Sequence, residues 1–137
     1  MVAKHSSQRM FRTYVSGITG YWATCTGGET SSDVSPYWDG GSQQPEMLAS
    51  PAQRSNVTVA RAYNRDRDYA ILAKARNNVG KWTTTISKQP TDEDGTSSGK
   101  PTVYSGALLV RVSEPDQDSS GGDAAMWEME FAVSAVK

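Results

Sequence analysis

The residues of this chain whose types and spacing could do chemistry are few. His5 is the only histidine and lies in a polar stretch, residues 1–9, read as an N-terminal arm. A Ser/His/Asp relay needs an imidazole held in place by its neighbours, which an arm does not provide. Cys25 is the only cysteine. It falls inside a β-type segment with no histidine nearby, so an inert, buried thiol is the favoured reading over a nucleophile, and no internal disulfide is possible. Asp116-Gln117-Asp118-Ser119-Ser120-Gly121 opens like a calcium loop. The twelfth position, where a bidentate Glu is needed, is Trp127, and Glu128 comes one residue late. Asp92-Glu93-Asp94-Gly95 is weaker still. Gly95 to Thr102 echoes a phosphate loop, but the glycines are too close together and Pro101 replaces the hydroxyl residue that would hold magnesium. Asn56-Val57-Thr58 matches a glycosylation sequon and is read as incidental. No catalytic residue, metal site or cofactor is predicted, and the chain is expected not to be an enzyme.

Two further groups suit contact rather than catalysis. Arg61, Arg65, Arg67, Lys74 and Arg76 cluster around one predicted helix. They form either a solvated face balanced by Asp66 and Asp68 or a contact to an acidic patch on another subunit, such as 92–94 or 114–123. The second group is the stretch 33–51. Pro36, Pro45, Pro51, Gly40 and Gly41 exclude continuous helix or central strand there. Tyr37, Trp38, Met47 and Leu48 are nevertheless too apolar for an ordinary solvated loop, so it must fold back on its domain or dock on a partner.

The elements that position these groups follow from periodicity. Residues 10–17 and 21–26 read as strands separated by Gly17 and Gly20. A long loop at 29–55 follows, in which 34–38 could be an edge strand. Residues 56–61 form a strand with Val57 and Val59 on one face. The helical pattern lies within 63–80, capped by Asp66 or Asp68, with Tyr69, Leu72, Ala73 and Arg76 on one face and Gly80 at its end. Strands are predicted at 82–87 (Trp82, Thr84 and Ile86 together), at 102–112 with a kink at Gly106, and near the C-terminus. In the last, Trp127, Met129, Phe131 and Val133 face the core, and Glu128 and Glu130 face away from it. Trp82 and Trp127 at such positions favour core over a carbohydrate-binding face. The fold class is mainly β: a β-sandwich or strongly curved antiparallel sheet with one flanking helix.

Composition bounds the rest. A length of 137 residues fits one domain, here 10–137. With 36% apolar and 21% charged residues the chain is polar, but four Trp and six Tyr supply enough buried area for a core. A formal net charge of −1 does not suggest a nucleic-acid-gripping surface. No apolar run has the length of a signal peptide or of a membrane span, so synthesis and folding in a cytoplasm, without membrane association, are expected.

The order of features resembles the major tail tube protein of tailed, long-tailed bacteriophages, over roughly residues 9–136. The resemblance rests on the strand pair ending in Gly27-Gly28 and on the Tyr37-Trp38-Asp39-Gly40-Gly41 loop. It rests also on Val57 to Tyr63 running into the helix at 66–78, and on the closing segments 108–115 and 126–133. It implies a structural virion subunit, made in the host bacterial cytoplasm. Hexameric rings with a continuous inner β-barrel would stack into a tail tube. DNA would pass through that tube during ejection without specific binding, and the partners would be other copies and tape measure, terminator and distal tail proteins. On that expectation Tyr37, Trp38, Gly40, Gly41, Met47, Leu48, Arg65 and Arg67 make inter-subunit contacts. Glu128 and Glu130 line the lumen, where acidic walls would repel phosphates. The alternatives are a monomeric binding module, for instance one stacking carbohydrate on Tyr37 and Trp38, and the tube protein of a contractile injection machine.

Overall fold

The computed structural model describes residues 5–41, 43–117 and 119–136. Strands β1 (Phe11–Val15), β2 (Thr24–Gly27), β7 (Val57–Ala62), β8 (Thr83–Pro90), β9 (Thr102–Ser113) and β10 (Met126–Ala132) form one antiparallel sheet in the order β1-β8-β9-β10-β7-β2, with β11 (Ala135–Val136) on β9. Between the patterns expected from sequence, the molecule takes the strongly curved sheet. The sheet curls until its two end strands approach. A single bridge, the Trp22 N–H donating to the Thr13 carbonyl at 2.9 Å, joins them.

Alternation explains the interior. Val15, Val57, Val59, Ile86, Leu109, Trp127, Met129 and Phe131 fill it from the concave face. Burying an aliphatic or aromatic side chain of this size contributes about 2 kcal/mol. Helix α1 (Arg65–Asn77) packs beside this core through Leu72 and Ala75.

Several boundaries differ from the sequence reading. The second strand begins at Thr24, because Trp22 turns into the core after the Gly20 turn. The helix is capped by Asn64, whose side-chain oxygen accepts from the N–H groups of Asp66 and Arg67. The buried helix face is Asp68, Leu72 and Ala75 instead of the Tyr69 face; Tyr69 is 69% exposed. Asn78 supplies the C-terminal cap and Gly80 lies just beyond it, with its N–H bonded to the Leu109 carbonyl. Trp82 precedes β8 and is half-buried, with the Lys74 ammonium over its ring. The C-terminal strand β11 carries no periodicity in so short a span and was not expected. The segment 29–55 is not a plain loop. It holds β3 (Thr30–Ser31), β4 (Val34–Tyr37), β5 (Glu46–Ala49) and β6 (Gln53–Arg54), paired β3 with β6 and β4 with β5.

Glycine is required where this arm leaves the sheet. Gly27 has φ +93°, and a Cβ there would overlap the Asn56 carbonyl. Gly106 has φ +65°, with the Ser134 hydroxyl 2.6 Å from where a Cβ would stand, which accounts for the kink expected in β9. Gly27→Ala is expected to destabilise the fold by more than about 1 kcal/mol, read as a lowered midpoint in thermal unfolding. An unchanged midpoint would mean that the arm's exit is not constrained as described.

Candidate assembly surface

The arm grows from the sheet as a ladder. At its base β3 and β6 pair, and Glu29 and Ser55 exchange bonds: the Ser55 N–H donates to the Glu29 carbonyl and the Glu29 N–H to the Ser55 hydroxyl, both at 2.8 Å. Ser32, Asp33 and Ser50 lock the next step. The Ser32 hydroxyl donates to the Ser50 carbonyl at 2.5 Å, and the Ser50 N–H donates to the Asp33 carbonyl at 2.8 Å. Arg54 ties the base to the body by donating to the Ser134 carbonyl at 3.1 Å. Beyond this, Val34 faces Ala49, Pro36 faces Met47, Ser35 faces Leu48 and Tyr37 faces Glu46. Pro36 is tolerated because this two-stranded ribbon is all edge. A turn containing Gly40 and Gly41 joins the two strands, and the Asp39 carboxylate accepts from the Gly41 N–H at 3.3 Å.

Among the described residues, the apolar side chains of this ribbon are left largely uncovered. Val34 is 50% exposed, Tyr37 55%, Trp38 61%, Met47 59% and Leu48 49%. All residues of β4 and β5 are exposed, so neither face of the ribbon packs on the body. A two-stranded ribbon alone in water is marginal. A concentration of large apolar groups on a projecting element marks an interaction surface. Gly40 and Gly41 have no positive φ, and a Cβ on either meets nothing within 4 Å, so neither glycine is required by the isolated fold.

The convex face of the sheet carries the second candidate feature. Glu128 and Glu130 project there, and they are not free charges. Arg111 donates to Glu128 at 2.8 Å and to Glu130 at 3.3 Å, and the Asn56 amide donates to Glu130 at 2.8 Å. The Asn56 bond and then Arg111 hold the Glu130 carboxyl below its usual range, against its desolvation. The Glu128 bond first, then Glu130, pushes the Arg111 guanidinium up. Their cross-strand neighbours are short: Ala60 and Thr58 on β7, then Thr24 and Thr26 on β2, and Ser113 on β9.

The basic cluster resolves into internal contacts. Arg61 occupies the next inward position after Val57 and Val59 and is buried. Its guanidinium lies 4.3 Å from the Trp22 ring centre and 5.7 Å from that of Trp127. It donates to the Asp68 carboxylate at 2.5 Å and to the Thr19 carbonyl at 2.8 Å. Asp68 is fully buried and accepts also from Arg67 at 3.0 Å and from the Asn64 N–H at 2.9 Å. Burial works to raise the Asp68 carboxyl, but Arg67, the Asn64 N–H and the Arg61 charge outweigh it and hold the pKa low. Arg76 pairs with Glu114 of its own chain. Arg67 therefore has an internal partner, whereas Arg65 remains highly exposed beside Asp66. Sequence reasoning missed the burial of Arg61 and Asp68. The inward register of Val57, Val59 and Arg61 was the available signal.

His5 is exposed and Cys25 is half-buried. Burial pushes the Cys25 thiol up, while the nearby Lys88 charge and a hydrogen bond with Thr13 pull the other way. No group of three or more His, Cys, Asp or Glu among the described residues could hold a metal ion. The calcium-like loop includes Asp118, which lies outside the described residues.

No protein-family model and no curated protein sequence matches this chain. Solved structures do. The chain is similar to a chain from the sheath-tube complex of an extracellular contractile injection system in its extended state, at 16% identity and a TM-score of 0.80. That match covers 98% of this chain and 90% of the other. It is similar to the tube-terminating cap of the anti-feeding prophage, at 15% identity and a TM-score of 0.82, covering 100% and 92%. It is also similar to Hcp1 from Flavobacterium johnsoniae, at 11% identity and a TM-score of 0.53, covering 93% of each chain. The fold is thus the curved, single-helix β-fold found in tube and tube-cap assemblies.

The buried ion pair gives a prediction with a defined sign. A carboxyl whose pKa is depressed in the fold stabilises fully above its unfolded value, near 4, and loses that contribution as pH falls through the folded value. Asp68→Asn is expected to cost about 3 kcal/mol at pH 7 in urea unfolding, because it leaves Arg61 buried without its counter-charge. The gap from the unmutated chain should shrink as pH is lowered below about 4. A gap independent of pH would show that the carboxylate charge is not what stabilises the fold.

Proposed function

We propose that this chain is a structural subunit of a tail-like tube. Copies close into rings around a lumen, hexameric as in the resemblance drawn from sequence, and the rings stack. The observation that carries this reading is the arm: an ordered, projecting ribbon with Val34, Tyr37, Trp38, Met47 and Leu48 uncovered. The likeness in fold to chains of tube and cap assemblies supports it. In such an assembly Tyr37, Trp38, Met47 and Leu48 are buried against neighbours, Gly40 and Gly41 carry the turn that presents them, and Arg65, exposed beside Asp66, offers a cation to an acidic patch. Edge strands β1 and β2, open along most of their outer sides, are covered in the ring.

The phage tail favoured by the sequence resemblance and the contractile injection machine are two settings for the same part. The similar structures come from contractile systems, with a baseplate chain of the anti-feeding prophage among them, and this favours the contractile setting. Either setting places the subunit in an extracellular, tail-like assembly with terminator and baseplate-type partners and a non-enzymatic role. In a phage tail the cargo is DNA. The convex face then supplies the lumen wall, with short hydroxyl side chains and Glu128 and Glu130 clamped on Arg111. Around Glu128 and Glu130 the Arg111 cation is paired and one negative charge is left over, which disfavours gripping phosphates there.

The monomeric carbohydrate-binding alternative uses Tyr37 and Trp38 as a stacking platform. It leaves Val34, Met47 and Leu48 without a purpose, which is why assembly is preferred. Electron microscopy of purified protein, with and without fragments of assembled tube as seeds, is expected to show rings or tubes of constant diameter. Trp38→Ala should abolish them while leaving the circular dichroism and thermal midpoint of the monomer unchanged, because Trp38 makes no core contact. Normal assembly by that variant would remove the arm from the mechanism.

A further inference from the structure

The distribution of charge identifies where the arm goes. The arm, residues 29–55, contains four acids, Glu29, Asp33, Asp39 and Glu46, and one cation, Arg54, which is tied to the body at its base. The arm's net charge is thus −3 and that of the whole chain −1, so everything outside the arm sums to +2. Asp39 and Glu46 flank the turn at the arm's tip, where Trp38 is also exposed.

A cleft of matching character lies where the sheet fails to close. Beyond the single Thr13–Trp22 bridge, β1 and β2 diverge and leave a cleft of about 410 Å³. Its lining includes Arg9 and Lys88 and no acid, together with apolar surface from Phe11, Trp22 and Ala23. Arg9 is exposed, and the Lys88 ammonium sits 4.9 Å from the Phe11 ring centre, with no carboxylate partner among the described residues. The outer side of β2 has no strand partner, because β2 pairs only with β7. The groove between α1 and the segment after β9 differs, since Glu114 and Asp116 line it beside Arg76.

We propose that the β1/β2 cleft is the receptor for the arm of a second copy of this chain. The Trp38 ring lies against Phe11, the Asp39 and Glu46 carboxylates meet Arg9 and Lys88, and the arm's backbone completes the open edge of β2. This rests on the tube-subunit reading and names the surface that reading leaves unassigned. An acidic apolar ribbon and a cationic apolar cleft on one chain make a head-to-tail contact, which propagates from copy to copy until it closes or stacks.

Cys25 lines the cleft and is the chain's only cysteine, which gives a direct test. Gly41→Cys places a second thiol at the arm's tip, where a side chain has room. Mild oxidation of the assembled variant with diamide at about pH 8.5, near the ordinary thiol pKa, is expected to give a ladder of covalent oligomers on denaturing gels. Adding Cys25→Ser should remove the ladder. Lys88→Glu should raise the protein concentration needed for assembly roughly tenfold, and Asp39→Lys in the same chain should restore it. Gln43→Cys repeats the first arm of the test if Gly41→Cys assembles poorly. Assembly without a Cys25-dependent crosslink from either variant, and without charge-swap rescue, overturns the proposed receptor and leaves the tube reading standing. An unmutated chain that forms no rings or tubes even when seeded overturns the tube reading itself.

Discussion

The body of this protein is organised around one buried ion pair. Arg61 and Asp68 come from a strand and a helix and meet inside the apolar interior, next to Trp22 and Trp127. Two ions in such a place are costly unless each is fully satisfied. Partners surround both: the Thr19 carbonyl and the indole ring of Trp22 for Arg61, whose Nε alone has no hydrogen-bond partner among the described residues, and Arg67 and the Asn64 N–H for Asp68. Those partners lie on the turn before β2, on α1 and at the helix cap, so one cluster fixes the helix, the Gly20 turn and the end of β7 together. Gly20 has to be glycine for the same reason. A Cβ there would stand 2.8 Å from the Arg67 guanidinium and 3.1 Å from that of Arg61.

The cluster also explains why the sheet curls without sealing. Trp22 is drawn inward to stack on Arg61 and Trp127, which takes its segment out of line with β1 after one bridging hydrogen bond. The cleft between β1 and β2 is thus a consequence of core packing. An isolated barrel would have closed this edge. A sheet held open by its own core suits a molecule whose remaining edge is completed by another chain.

Legibility in the sequence followed the physics. Val57 and Val59, and Trp127, Met129 and Phe131, announce their strands because one face is buried and the other wet, and period two is then unavoidable. Gly106 announced its kink because glycine inside a strand seldom lacks a backbone reason. The helix was visible, but its cap and inner face were misread. Asn64 and Asp66 are both good caps by type, and only the path of the chain decides between them. A buried Asp on a helix face looks like a solvated one until its arginine partner is known. The arm was recognised by composition but not as a ladder, since Pro36, Pro45 and Pro51 are the residues that argue against strands. Pro36 is tolerated in β4 because each strand of a lone ribbon has an unpaired side, and Pro45 and Pro51 lie outside the strands. The fate of Tyr37, Trp38, Met47 and Leu48 was posed by the sequence as burial at home or elsewhere, and the structure leaves them uncovered at home.

The two parts of the molecule therefore stand in opposite energetic situations. The body buries Trp22, Tyr104, Trp127 and Phe131 and pairs its interior charges Arg61 and Asp68. The arm holds its register through Ser32, Asp33, Ser50 and Ser55 while leaving its apolar groups largely in water, and its four acids share a single cation, Arg54, at its base. Hydrophobic exposure gives such an element a drive toward contact with no direction, and charge supplies the direction. Charges of the opposite sign line the cleft between β1 and β2, a surface that every other copy also carries.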